Sequence, residues 1–215
     1  MCWETAYEQW LNAPALSQQE QEELRAIQKD KMELRERFYA PLAFGTAGLR
    51  GTMKVGLHHM NVHVVRWVTQ GFAEVICAES DWAGDRKAAV CMDGRKNSRR
   101  FAEAAAEVLA ANGITVYLFD GPRPTPELSF AVRAYGCLAG INITASHNPK
   151  EYNGYKAYWC DGAQLQTETA MAVSARLEEI DVFAGPKRMD LQRGIELGRI
   201  CLLGRSCDEA YLKAV

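Results

Sequence analysis

The residues best able to do chemistry lie between positions 144 and 156, in the run Thr-Ala-Ser-His-Asn-Pro-Lys-Glu-Tyr-Asn-Gly-Tyr-Lys. Ser146, His147 and Asn148 offer a hydroxyl, an imidazole and an amide in succession, directly after the apolar stretch 138–143, which reads as a strand. Ligands of open α/β sheets bind outside the carboxyl ends of the strands, so Ser146 stands where chemistry is often built. Taken singly, these residues have plain readings: Ser146 as a loop or capping serine, His147 as a structural hydrogen-bonding residue, Lys156 as a solvated strand lysine. Context changes them. The stretch 44–51, Phe-Gly-Thr-Ala-Gly-Leu-Arg-Gly, places glycines at 45, 48 and 51, a density that lets backbone N–H groups approach an oxyanion closely. Arg50 and Lys156 add positive charge and Ser146 a hydroxyl acceptor, so the set reads as a phosphate site. A phosphoserine carries about −1.5 to −2 charge near neutral pH. Holding it and making it leave calls for cations and a divalent metal. The glycine spacing matches neither G-x-G-x-x-G nor the P-loop pattern. The Asp93-Gly94-Arg95 turn converges on the same sheet edge, with Arg95 and Arg100 read as surface charges. His58 and His59 have no metal-selecting spacing.

The elements that would position these groups alternate. Helical stripes in the first forty residues (Trp3, Tyr7, Trp10, Leu11; then Leu24, Ile27, Leu34, Phe38) predict two packing helices ended by Pro41. Asn61 caps a helix with Val62, Val65, Val68 and Phe72 inward. Strands are predicted over 88–92, 114–119 and 138–143. Between them, Ser98 caps one helix that Asn112-Gly113 ends, and Thr125-Pro126 opens another. This rhythm argues for right-handed crossovers and a largely parallel sheet with helices on both faces. Asn153-Gly154 is the strongest hairpin signal, so 155–159 is predicted to return antiparallel and carry Lys156 back beside the serine. A helix over 167–180, a strand over 194–203 and a capping box at Ser206 and Glu209 follow.

A chain of 215 residues, 48% hydrophobic and 24% charged, suffices for one well-buried domain, or for one plus part of another. A net charge of −2 gives no basic field for nucleic acid, and no apolar run reaches the roughly 20 residues of a spanning helix. Neither nucleic acid nor membrane is an expected partner, and a cytoplasmic location is. Seven cysteines without a C-x-x-C read as reduced thiols.

The glycine-rich run 44–51, the turn 93–98 (Asp-Gly-Arg-Lys-Asn-Ser), the segment 125–132 (Thr-Pro-Glu-Leu-Ser-Phe-Ala-Val) and the serine motif 145–156 together resemble the first domain of the α-D-phosphohexomutases, over about 40 to 159. The helical leader and the spelling of the glycine-rich run look most like the phosphoglucomutase and phosphopentomutase branch. The resemblance implies a three-layer α/β/α domain with a mostly parallel mixed sheet, preceded by an N-terminal helical leader. Its expected divisions are 1–40 for the leader, 41–190 for the domain, and 191–215 for a linker and the truncated start of a second domain. It implies that Ser146 carries the transferred phosphoryl group and, once phosphorylated, offers an oxygen to Mg2+. Lys156 and Arg50 stand near it, Lys156 as general acid or base, and His147 and Asn148 shape the loop and contact substrate. Thr46, Gly48, Arg50 and Asn148 are the candidate phosphate-binding residues. Mg2+, glucose 1,6-bisphosphate as activator and a sugar phosphate as substrate are implied as well.

The family's Asp-Gly-Asp-x-Asp metal loop and its sugar-reading and distal phosphate motifs do not occur in the 215 residues. On the family's plan the chain is therefore the leading portion of a longer protein, inactive alone, with the remaining domains as its partners. Phosphomannomutase or phosphopentomutase activity is the enzymatic alternative, and a non-catalytic phosphosugar-binding domain the other. A serine hydrolase is disfavoured by the absence of Gly-x-Ser-x-Gly around Ser146.

Overall fold

A computed structural model describes residues 2–215. Its strands are β1 (Leu49–Thr52), β2 (Lys87–Met92), β3 (Thr115–Phe119), β4 (Ala139–Ile143), β5 (Tyr152–Trp159) and β6 (Ile200–Leu203). The helices are α1 (Trp3–Leu11), α2 (Gln18–Ala26), α3 (Lys31–Phe38), α4 (Val62–Ala78), α5 (Ser98–Ala111), α6 (Thr125–Ala134), α7 (Thr167–Glu179), α8 (Leu191–Glu196) and α9 (Arg205–Ala214). Side-chain alternation along β2 divides the interior in two. Ala88, Val90 and Met92 join a core with Phe72 of α4 and Phe101 of α5, while Ala89 and Cys91 join a smaller one with Leu128 and Val132 of α6 and Cys207 of α9. The sheet, in order β1-β5-β4-β2-β3-β6, lies between these two helical layers. β2 pairs in parallel with β3 and β4, and β3 with β6; β5 runs antiparallel to both β4 and β1. This is the mixed, mostly parallel α/β/α arrangement that the sequence predicts. The central parallel strands are mostly apolar because both faces are covered, with Asn142 the buried polar exception on β4.

Several local signals act as expected. Asn61 Oδ1 accepts the Val64 N–H at 3.0 Å and caps α4, while its amide group donates to the carbonyls of Lys54, Gly56 and His59. Asn112 ends α5, and Gly113 follows at φ +81°. Pro126 sits in the first turn of α6.

Others act differently. The first forty residues form three helices, because Asp30 accepts the N–H groups of Met32 and Glu33 and starts α3 afresh. Asn97, at φ +65°, occupies the cap position of α5, and Ser98 is already helical, its hydroxyl donating to Asp93 Oδ1 at 2.8 Å. Asn153-Gly154 is no hairpin turn: both residues lie inside β5, opposite Gly51 and Arg50, and the chain reverses earlier, over 147–151. A local turn preference yields here because Asn153 is fully buried and donates to Lys96 O and Ser98 Oγ. Ser206 does not cap α9, which begins at Arg205 after Gly204 without a side-chain cap.

The 194–203 prediction resolves into the end of α8 and the short β6. Gly194 makes room for this return, since a Cβ there would lie 2.6 Å from Ile200 Cδ1. Residues 191–215, expected as a linker and the truncated start of a second domain, reach the sheet through β6 and pack on it through α9. Val116 to Phe119 register with Ile200 to Leu203, and Arg123 grips Asp208 of α9 through Nε at 2.6 Å and Nη2 at 2.9 Å. Burial, then the adjacent Asp208 carboxylate, holds the Glu127 carboxyl beside this pair well above the usual carboxylate range. All seven cysteines are free; burial pushes Cys91 and Cys137 up to about 12, which keeps them as unreactive thiols. No helix among the described residues is long and apolar enough to cross a membrane.

The leader packs on α4. Trp10, 2% exposed, meets Phe38, His63 and Phe183 edge-on. In the capping box of α2, Ser17 Oγ accepts the Glu20 N–H and the Glu20 carboxylate accepts the Ser17 N–H, while Glu20 also reaches His63 of α4 at 3.3 Å. Burial of the Glu20 carboxyl opposes its ionisation, but hydrogen bonds from His63 and Ser17 outweigh that and hold the group at about 2, below its ordinary 4.5. A depressed carboxylate adds stability above its unfolded pKa and loses it as pH falls through the folded one. The difference in melting temperature between the native chain and Glu20→Gln is therefore expected to be full above about pH 4.5 and to shrink towards pH 2. Gly48 supplies a second test. It takes φ +77°, and a Cβ there would sit 1.9 Å from Tyr155 O, whereas a Cβ at Gly45 meets nothing within 4 Å. Gly48→Ala is expected to lower the unfolding free energy by about 2–4 kcal/mol in urea titration, and Gly45→Ala by no more than about 0.5 kcal/mol.

Candidate functional site

The site is built where β4 ends and β5 returns beside it. β4 delivers Thr144, which is buried, and then Ser146, which is exposed. Ser146 takes φ +56°; it and Asn97 are the two non-glycine left-handed residues among those described, and both lie in loops at this edge. Such a conformation costs about 1–2 kcal/mol and persists only where its surroundings impose it. Thr144 Oγ1 accepts the Ser146 N–H at 3.0 Å, and Ala145 O accepts the Asn148 N–H at 3.1 Å, which tightens the turn.

Lys156 is brought to the serine by register. It stands opposite Asn142 on β4, and both share the sheet face of α6. Asn142, buried, donates from Nδ2 to Thr125 Oγ1 at 2.8 Å and so ties β4 to the start of α6. On the other side of β5, Arg50 stands opposite Gly154, where a Cβ would meet Thr144 O at 2.6 Å. The three strands close on one another only because residues 48 and 154 carry no side chain. Arg50 Nη1 donates to Asn148 Oδ1 at 2.7 Å across the mouth of the serine loop.

Ser146, His147, Lys156, Arg50, Gly48, Thr144 and Gln164 line a pocket of about 380 Å³. Its lining contains no carboxylate, and among the described residues neither Arg50 nor Lys156 has an ion-pair partner. The arrangement puts a hydroxyl and two unneutralised cations in one pocket, the setting in which an anion gains most. Ser146 Oγ and His147 Nδ1 are 3.4 Å apart, a long contact, and no carboxylate lies in the pocket to orient the imidazole as a general base. The sequence-predicted Ser146, His147, Lys156, Arg50 and Gly48 thus share one pocket, and Asn148 touches it through Arg50. Thr46 is exposed and outside the lining.

The residues present do not make a magnesium site. Mg2+ needs an octahedral set of oxygens, usually with carboxylates, yet the described residues hold no group of three potential His, Cys, Asp or Glu ligands.

A larger hollow of about 940 Å³ lies behind the serine loop, lined by Met53, Lys54, Lys96, Asn97, Asn148 and Lys150 among others, without Ser146. Its wall contains the residue that sequence reasoning assigned to the surface. Arg95, with its side chain 17% exposed, donates to main-chain carbonyls on the serine loop and at the start of β5. The available signal was Asp93, two residues earlier at a strand end, a carboxylate able to orient a guanidinium; it meets Arg95 Nε at 3.3 Å.

Residues 41–183 match the family model described as phosphoglucomutase/phosphomannomutase, alpha/beta/alpha domain I. A phosphoglucomutase of Staphylococcus aureus (strain USA300) is 44% identical over 153 residues, covering 71% of this chain and 27% of that protein. The chain therefore spans about a quarter of the length of such relatives. Among solved structures, a putative phosphomannomutase from Thermus thermophilus superposes with a TM-score of 0.59 at 33% identity, covering 71% of this chain and 34% of that one. A phosphoglucomutase/phosphomannomutase family protein from Burkholderia thailandensis gives 0.60 over 80% of this chain and 34% of its own, at 23% identity, which speaks to the fold alone. With the domain matched across the glycine-rich turn, the serine loop and Lys156, the chain belongs to the phosphoglucomutase/phosphomannomutase family.

Proposed function

We propose that this chain is the phosphoserine-bearing first domain of a phosphoglucomutase-type enzyme that interconverts sugar 1-phosphate and 6-phosphate. The observation that carries the reading is the pocket that Ser146, Arg50 and Lys156 line together with no carboxylate among the lining residues. On this reading the P–O bond to Ser146 breaks as a P–O bond to a sugar hydroxyl forms. Lys156, on the same sheet face, exchanges the hydroxyl proton, and Arg50 neutralises the transferring group. The bisphosphorylated sugar then reorients and returns its other phosphate to Ser146. Glucose 1,6-bisphosphate would prime the serine in the same way, so it is the expected activator. Mg2+ would add charge neutralisation at the phosphoserine, with its carboxylate ligands supplied from outside residues 1–215. Glucose phosphate is the proposed substrate on the 44% likeness to a phosphoglucomutase, with mannose or pentose phosphates as the related alternatives.

Incubating the full-length protein with Mg2+ and glucose 1,6-bisphosphate, followed by peptide mass spectrometry, is expected to find phosphate on Ser146 that disappears on adding glucose 6-phosphate. An unmodified Ser146 overturns the reading and leaves a phosphosugar-binding domain. In the same protein Lys156→Ala is expected to lower mutase turnover by about 10²–10⁴-fold. Purified 1–215 is expected to show negligible turnover, and robust activity from it would refute the assignment to a partial site.

A further inference from the structure

We propose that Arg95 is the positioning residue that sets the conformation of the serine loop, acting behind Ser146 without touching substrate; this rests on the phosphoserine reading above. A guanidinium has five N–H donors in a fixed plane, and four of Arg95's donate to backbone carbonyls while the fifth faces a carboxylate as an ion pair. Nη1 donates to Pro149 O at 2.8 Å and Tyr152 O at 3.2 Å, and Nη2 to Ser146 O at 2.9 Å and Asn148 O at 2.6 Å. Nε faces Asp93 Oδ2 at 3.3 Å. The four carbonyls belong to residues 146, 148, 149 and 152, so one side chain holds both ends of the reversal between β4 and β5.

The clamp is itself held. Asp93 Oδ1 accepts the Arg95 N–H at 2.9 Å and the Ser98 hydroxyl at 2.8 Å, and the Asp93 N–H donates to Ile143 O at the end of β4. Asn153 joins from β5 by donating to Lys96 O and Ser98 Oγ. Turn 93–98 is thus fixed to the strands on either side of the loop it grips.

Two consequences bear on the serine. The carbonyl of residue 146 turned towards Arg95 fixes the peptide plane after Ser146 and so its ψ, while Thr144 Oγ1 holds the N–H on the other side of a serine kept at φ +56°. In a trans peptide the N–H lies on the opposite side from the carbonyl, so the His147 N–H points away from Arg95. It has no acceptor among the described residues and is available to an anion on the serine side. A lysine at 95 would keep the charge but lose the planar fork that serves four carbonyls at once.

Hydrogen exchange on the chain and steady-state kinetics on the full-length protein test this together. In Arg95→Lys the amides of 144–152 are expected to exchange at least about 10-fold faster, while those of β4 and α5 stay unchanged. In Arg95→Ala, methylguanidinium, which the hollow behind the loop can admit, is expected to restore slow exchange in that segment. Turnover of the full-length Arg95→Lys enzyme is expected to fall about 10²-fold with KM within twofold, because a serine misplaced by about an ångström costs chemistry and leaves binding intact. Loop exchange unchanged in Arg95→Lys overturns the proposal. So does a raised KM with unchanged kcat, which would make Arg95 a binding residue. If the loop loosens as expected while native Ser146 accepts no phosphate, the clamp stands and the functional reading falls.

Discussion

Gly48 comes so close to β5 that no side chain could stand between it and Tyr155 O, and this contact lets a third strand run along the returning one. Without it β1 could not lie beside β5 with Arg50 opposite Gly154, and Arg50 could not reach Asn148. Nor would β5 be held on both edges. A two-stranded reversal has little stability of its own, and here the return strand gains ladders on either side. The serine loop, the lysine and the arginine are therefore three outputs of one backbone approach. Positional precision of this kind comes more readily from a sheet than from loops alone.

The positive groups around the loop divide by how their hydrogen-bonding capacity is used. Arg95 spends four donors on carbonyls and pairs its charge with Asp93, so it supplies geometry to the loop. Arg50 keeps one bond, to a neutral amide, and Lys156 has no ion pair among the described residues. A ligand anion would replace water around the latter two and would find no carboxylate competing for them. Hydrogen bonding and charge pairing thus separate a cation committed to the backbone from two left open to a ligand within one short stretch of surface.

What could be read from the sequence follows from how local each cause is. The strand and helix rhythm, the caps at Asn61 and Asn112 and the proline of α6 are set by near neighbours, and they appear where their patterns place them. Ser146, Arg50 and Lys156 were legible as a group because strand ends in such a sheet converge. Asn153-Gly154 misled because its partners, Lys96 O and Ser98 Oγ, are more than fifty residues away, and a buried amide with two acceptors outweighs a turn preference. Arg95 was illegible for a related reason. Its ligands are backbone carbonyls, which carry no signature in residue type. The fate of 191–215 depended on β6 finding the open edge of β3, a pairing that periodicity within the segment does not encode.

The register between Asn142 and Lys156 has a mechanical meaning. The lysine is mounted on a rung of a hydrogen-bonded ladder and works as a stator: the spacing of two strands fixes it against the end of β4, from which the serine loop springs. On the proposed reading, a ligand with a phosphate at each end would present both ends to this place in turn, and the turning would fall to the ligand. Catalysis on that reading would work by presentation, with selectivity belonging to whatever holds the ligand's far end and timing to how fast that ligand is released and turned.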